Sequence, residues 1–134
     1  MRFYKQKYVY ANLVNMSQNF RPGDFLVFQL EAGFALLRFL RVDENGSNKV
    51  WHIAAYDDFF LGVESAEAAA AQPQLLRVSN PHMALTTRAF ESTQVARLIN
   101  IPLTDTEQLP LDAWDHTAGG VVSDRSVRLM LGLR

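Results

Sequence analysis

A mainly β domain of the α+β kind, a small antiparallel sheet or partly open barrel with one or two short helices, is what this 134-residue sequence predicts. Three observations carry the prediction. The stretch from Gly23 to Phe60 is rich in aromatic and branched residues and reads as three strands joined by two short turns. Asn45-Gly46 supplies two residues that readily take positive φ, as a tight type I′ hairpin requires. The three strands do not alternate apolar with polar as a half-wet sheet does, so both sheet faces must be covered.

Taken in order, Met1 to Phe20 is the stretch whose pattern is least readable. Tyr8 and Tyr10 alternate as on a strand, while Leu13, Val14 and Met16 fit a short helix. Met16-Ser17-Gln18 also suits a translation start, so residues 1–20 read as a peripheral extension of a single domain spanning 1–134. Pro22-Gly23 turns the chain into a first strand, Phe25 to Leu30. Glu31-Ala32-Gly33 returns it as Phe34 to Val42, and Asn45-Gly46 returns it again as Val50 to Tyr56. Ser65 to Ala71 is alanine-rich, with Ser65 placed to cap and Pro73 to stop a helix of about two turns. Gln74 to Ser79 reads as a short strand and Asn80-Pro81 as a turn. Met83 to Phe90 and Val95 to Ile101 read as a second hairpin turning at Glu91 to Gln94. Thr104 to Glu107 resembles a cap opening one helical turn that Pro110 interrupts, and Gly119-Gly120 is a break. Residues 123–133 fit a final helix capped by Ser123, or a strand on the alternation of Val127, Leu129, Leu131 and Leu133; helix is the preferred reading.

With Asn45-Gly46 at the centre of the turn, side chains sort onto two faces. One collects Leu26, Phe28, Leu30, Phe34, Leu36, Leu40, Val42, Trp51 and Ile53, with Arg38 its single charge. The other collects Phe25, Val27, Ala35, Leu37, Phe39, Val50 and Ala54, together with the polar-tipped Gln29, Arg41, His52 and Tyr56. Apolar bodies with polar tips suit a binding surface, so these four are the candidate partner-binding residues. The competing reading lays the Ala-rich helix over the same face, with the polar tips at its rim.

Composition narrows the function. Hydrophobic residues make up 49% and charged residues 20%, an ordinary folded profile, and the formal net charge is −1. With no basic block, no footprint for duplex nucleic acid appears. Cysteine is absent, which excludes disulfide and thiolate chemistry. No apolar run approaches the roughly 20 residues of a spanning helix, and the N-terminus lacks a signal-peptide pattern, so a cytoplasmic location with no membrane partner is expected.

Candidate chemistry is sparse. His52, Asp57 and Asp58, or Asp112, Asp115 and His116, are ligand types close in sequence, but neither set has a known ligand spacing. Both also have plain readings, as strand and turn residues or as a solvated loop. No Gly-x-Ser-x-Gly elbow is present, and Gly119-Gly120 is followed by no Lys-Ser or Lys-Thr. The expectation is no catalytic set, no metal and no cofactor.

The order Arg21-Pro22-Gly23-Asp24-Phe25, then Phe34-Ala35-Leu36-Leu37-Arg38-Phe39-Leu40, then His52-Ile53 and Tyr56-Asp57-Asp58-Phe59-Phe60, resembles the mainly-β immunity proteins of bacterial polymorphic-toxin systems, nearest to immunity family twenty-six. Ala96 to Leu103 is similar to a later hairpin of those proteins, although Val95-Ala96-Arg97 stands where the family places a tryptophan. The resemblance covers about residues 21–115. It implies a non-enzymatic protein that binds and blocks a cognate toxin. The alternative from another class is a small-molecule- or nucleic-acid-binding barrel with a regulatory role, since fold alone does not separate the two.

Overall fold

The central stretch folds as the meander its pattern predicts. The computed structural model describes residues 19–133, so the readings of Met1 to Gln18 lie outside the described residues. Strands β1 (Asp24–Gln29), β2 (Phe34–Asn45) and β3 (Asn48–Phe60) are followed by helix α1 (Val63–Ala70) and a 3-10 turn, Pro73–Leu75. Then come β4 (Val78–Thr86), α2 (Thr87–Ser92), β5 (Ala96–Asn100), α3 (Asp105–Asp115) and α4 (Val127–Leu131). The strands make one open five-stranded sheet in the order β4-β3-β2-β1-β5, with every pairing antiparallel. β4 and β5 occupy opposite edges, so the expected second hairpin does not form and the sheet does not close into a barrel. The short helices number four among the described residues rather than one or two.

The register differs from the expected one at two places whose effects cancel. β1 pairs Leu26 with Leu37 and Val27 with Leu36, one residue away from the pairing that grouped Leu26 with Leu36. A slip of one residue turns every side chain of β2 over. Farther along β2, Phe39 faces Ile53 and Arg41 faces His52, which leaves Leu40 as an extra residue in a bulge. The bulge resets the alternation. Leu40, packed with Ala54 and Leu111, and Arg41, bonded to Asp115, therefore both point to the α3 side. At the hairpin tip Asn45 pairs with Asn48, so Gly46-Ser47 is the two-residue loop and Gly46 takes φ 66°.

Both faces are covered, as the missing alternation required. One face carries Leu26, Phe28, Leu37, Phe39, Trp51 and Ile53 beneath α2 and α4, whose Phe90 and Val127 are buried there. Trp51 stacks on Phe90 at 4.4 Å and Phe20 meets Phe90 edge-on at 5.5 Å. The other face carries Phe25, Val27, Leu36 and Tyr56 beneath α1, whose Val63, Ala66 and Ala70 are buried against them. Fully burying each large apolar side chain contributes about 1.5–3 kcal/mol, and this contact holds a helix too short to form alone.

Local expectations shift where tertiary contacts override them. α1 starts at Val63 with Gly62 as its N-cap; Ser65 lies inside it and donates to the Gly62 carbonyl at 2.9 Å. The segment read as a strand from Gln74 opens instead in the 3-10 turn, and β4 runs straight through Asn80-Pro81. Pro81 is tolerated because β4 is an edge strand and its register jumps from Ile53–Met83 to Ala55–Asn80 at that point. The strand read to Phe90 ends at Thr86, whose hydroxyl caps α2 by accepting from the Ala89 N–H at 3.2 Å. The final helix is capped by Ser126 rather than Ser123, and Ser123 pairs with β4 at Leu85.

α3 is the largest departure. Thr104 and Glu107 form the capping box, but the helix continues through Pro110 to Asp115. Proline there removes one backbone bond. Tertiary contacts hold the helix on both sides of the break. Arg38, 1% exposed, donates to Glu107 at 2.9 and 3.0 Å, and Arg41 donates to Asp115 at 2.8 Å, while Leu111 is buried between them.

Candidate functional site

Where the C-terminal half of α3 crosses β2, β3 and β4, the alternation of three strands brings titratable groups together. Arg41 and Asp43 come from β2, His52 from β3, His82 from β4, and Trp114 and Asp115 from α3. Asp43 Oδ2 lies 2.9 Å from His52 Nε2, and His52 Nδ1 lies 2.8 Å from His82 Nε2. A carboxylate only accepts, so His52 carries its proton on Nε2 and accepts the His82 Nε2–H on Nδ1. The imidazoles lie within 13° of parallel, and Trp114 stands edge-on to them at 5.2 and 5.5 Å.

Arg41 ties the cluster to the helix. Its Nη2 donates to Asp43 at 2.9 Å and to Asp115 at 2.8 Å. Its Nε lies 2.7 Å from Asp43 Oδ1 as a charge contact without an aligned hydrogen bond. Burial pulls the Asp43 carboxyl up, but the hydrogen bonds from Arg41 and His52 more than reverse it and the net shift is downward. Burial lowers both imidazoles; for His52 it outweighs the pull of Asp43, and for His82 it is joined by the repulsion of His52 and Arg41. Neutral imidazoles are the state the hydrogen bonds require. The outer nitrogen, His82 Nδ1, has no protein partner among the described residues and is not buried.

The four candidate partner-binding residues do share the α1–α3 face, but they sit in different surroundings. Arg41 and His52 meet in the cluster. Tyr56, 7% exposed, lies beneath α1, stacked on Phe25 at 6.0 Å, and burial pushes its hydroxyl up to about 12. Gln29 is at the far end of β1, exposed, with its carbonyl accepting from Arg128. A partner docking on this surface reaches Gln29 and the edge of Arg41, whereas His52 is 0% exposed. Asp43, His82 and Trp114 escaped sequence reasoning. Asp43, two residues beyond Arg41 on a strand, was the one legible signal, while His82 was hidden behind the apparent turn at Asn80-Pro81.

The two sequence clusters of ligand types do not converge. Asp57 and Asp58 sit at the far end of β3, where the Asp57 N–H donates to the Arg77 carbonyl and Asp58 accepts from the Arg77 N–H. Asp115 is held by Arg41. Among the described residues, no three His, Asp or Glu side chains are grouped to hold a metal ion.

A different surface feature lies at that far end of β3. Phe59 and Leu61 precede α1, and Leu75 and Val78 follow it; all four are exposed, Leu61 at 84% and Leu75 at 68%. The Asp57–Arg77 backbone bond and the Tyr56–Val78 pairing set the two segments side by side. Asp57, Asp58 and Glu64 accompany them, against the single cation Arg77.

No family model, no curated protein and no solved structure matches the chain. Among the described residues, no helix is long and apolar enough to cross a membrane.

Proposed function

We propose that this protein is a non-enzymatic protein-binding module of the cytoplasm, and specifically an immunity protein that blocks a bacterial toxin domain. The observation that carries the reading is the exposure of four apolar residues, Phe59, Leu61, Leu75 and Val78, in the two adjoining segments that flank α1, which also carry Asp57, Asp58 and Glu64. Exposed apolar groups in adjoining segments that also bear charge suit a protein interface. The excess of acidic residues in these segments fits a partner with basic groups around an apolar anchor. The titratable cluster is consistent with this reading, because its carboxylates, its guanidinium and most of its imidazole nitrogens already have partners that fasten α3 to the sheet.

The test uses the toxin domain encoded beside this chain's own gene. The purified chain is expected to form a complex with it and to protect cells that express it. Leu61→Asp with Leu75→Asp, both at exposed positions, is expected to weaken that complex at least about tenfold with an unchanged circular dichroism spectrum. Absence of a neighbouring toxin gene, or of any complex with the unmodified chain, refutes the proposal.

A further inference from the structure

Independently of the protein-binding reading, we propose that the cleft between the β2–β3 hairpin tip and the start of α2 binds a small molecule carrying a phosphate group. The cleft has a volume of about 770 Å³, within the roughly 300–1,000 Å³ typical of ligand sites. Its wall is built by strand alternation. Lys49 and Trp51, two residues apart on β3, point to the same side, where Trp51 stacks on Phe90 of α2. Trp51 Nε1 donates to Thr87 Oγ1 at 2.9 Å. Because that oxygen already accepts, the hydroxyl hydrogen of Thr87 remains free to donate to a bound group.

Two cations border the same space. Lys49 Nζ stands 5.9 Å from the centre of the Trp51 ring, and it makes no ion pair among the described residues even though Glu44 lies opposite it across the hairpin. Arg88, 79% exposed, engages Asp124 through Nε and Nη2, which leaves Nη1 open. Asp124 is not among the residues lining the cleft, and none of those residues is acidic.

This donor set selects the ligand. A carboxylate offers two acceptor oxygens to three donors. A phosphomonoester offers three, which match the Lys49 ammonium, the one Arg88 nitrogen that Asp124 leaves open and the Thr87 hydroxyl together. Val122 and the edge of Trp51 offer the organic part an apolar wall.

Phenyl phosphate titrated into the full chain, followed by amide nitrogen–proton correlation spectra, tests the site. Saturable shifts are expected at residues 47–51 and 86–88. Benzoate and inorganic phosphate are each expected to bind at least about tenfold more weakly. Equal affinity for benzoate overturns the assignment to phosphate, and equal affinity for inorganic phosphate overturns the role of the apolar wall. Lys49→Gln with Arg88→Gln is expected to lose at least about tenfold in affinity while the rest of the spectrum, and hence the fold, stays unchanged. No saturable shift at these residues in the unmodified chain, or unaltered affinity in the folded double variant, refutes the site.

Discussion

Acidification is expected to loosen the crossing of α3 over the sheet, in a window set by the two imidazoles. His52 and His82 have folded pKa values below the ordinary 6.5. The unfolded chain therefore takes up protons first. The stability these groups contribute is complete above about pH 6.5 and is lost as pH falls through that value toward the folded pKa values. The geometry orders the two events. A first proton adds to the outward His82 Nδ1 and leaves the network standing. A second must add to His52 Nδ1, and it breaks the 2.8 Å imidazole–imidazole bond by turning its acceptor into a donor. An imidazole fully charged in the unfolded chain and neutral in the folded one gives a slope of at most about 1.4 kcal/mol per pH unit. His52 is wholly buried and the more exposed His82 counts for less, so the two together give at most about 2.7 kcal/mol per unit. Against a total stability of roughly 5–15 kcal/mol, that is easily measured. Urea unfolding followed by circular dichroism between about pH 8 and pH 5 is the assay. His52→Phe is expected to cost about 1–3 kcal/mol at the alkaline end, because His82 loses its acceptor, and to flatten the slope. A wild-type stability independent of pH across this window, or a His52→Phe slope equal to that of wild type, would refute the reasoning.

Two other substitutions probe how the elements are held. Glu107→Ala leaves the Arg38 guanidinium buried without its counter-charge and removes half of the capping box, so a loss of about 3–5 kcal/mol in urea unfolding is expected. Arg38→Met combined with Glu107→Gln, which leaves no charge behind, is expected to recover most of it, and a Glu107→Ala cost below about 1 kcal/mol would count against the buried pair. Gly33→Ala places a Cβ 2.3 Å from the Phe60 carbonyl oxygen and 2.5 Å from the Phe59 ring. The ends of β2 and β3 must then part, at a cost of about 1–3 kcal/mol that a thermal melt will read; an unchanged melting temperature contradicts that packing.

The meander was legible because its information is local. Aromatic and branched runs between turn residues specify strands, and the lack of polar alternation correctly demanded cover on both faces. The edges of the sheet were not legible for the same reason. β4 and β5 lie apart because each pairs with a different side of the meander, β4 with β3 and β5 with β1, and nothing in Met83 to Ile101 distinguishes that from a hairpin. Pro110 misled in the opposite direction. Proline is a sound local stop, and only the fastening of α3 through Arg38–Glu107 and Arg41–Asp115 carries the helix past it.

The candidate residues share a face but differ in exposure. Gln29, Arg41, His52 and Tyr56 share a face because the slip at the first turn is reversed by the bulge at Leu40. That outcome owes nothing to the alternation rule used to find them. What alternation cannot report is which stretch of a face a helix will cover. α1 lies over Tyr56 and α3 over His52, and α3 is placed by contacts made across long sequence separations, 69 residues for Arg38–Glu107 and 74 for Arg41–Asp115. Of the four, Arg41 bonds α3 through Asp115, and the buried His52 finds its partners in Asp43 and His82 on the neighbouring strands. The protein-binding reading proposed above rests instead on the exposed apolar residues that flank α1. Leu61 and Leu75 lie outside the strands, where a pattern-based search for a sheet surface does not look.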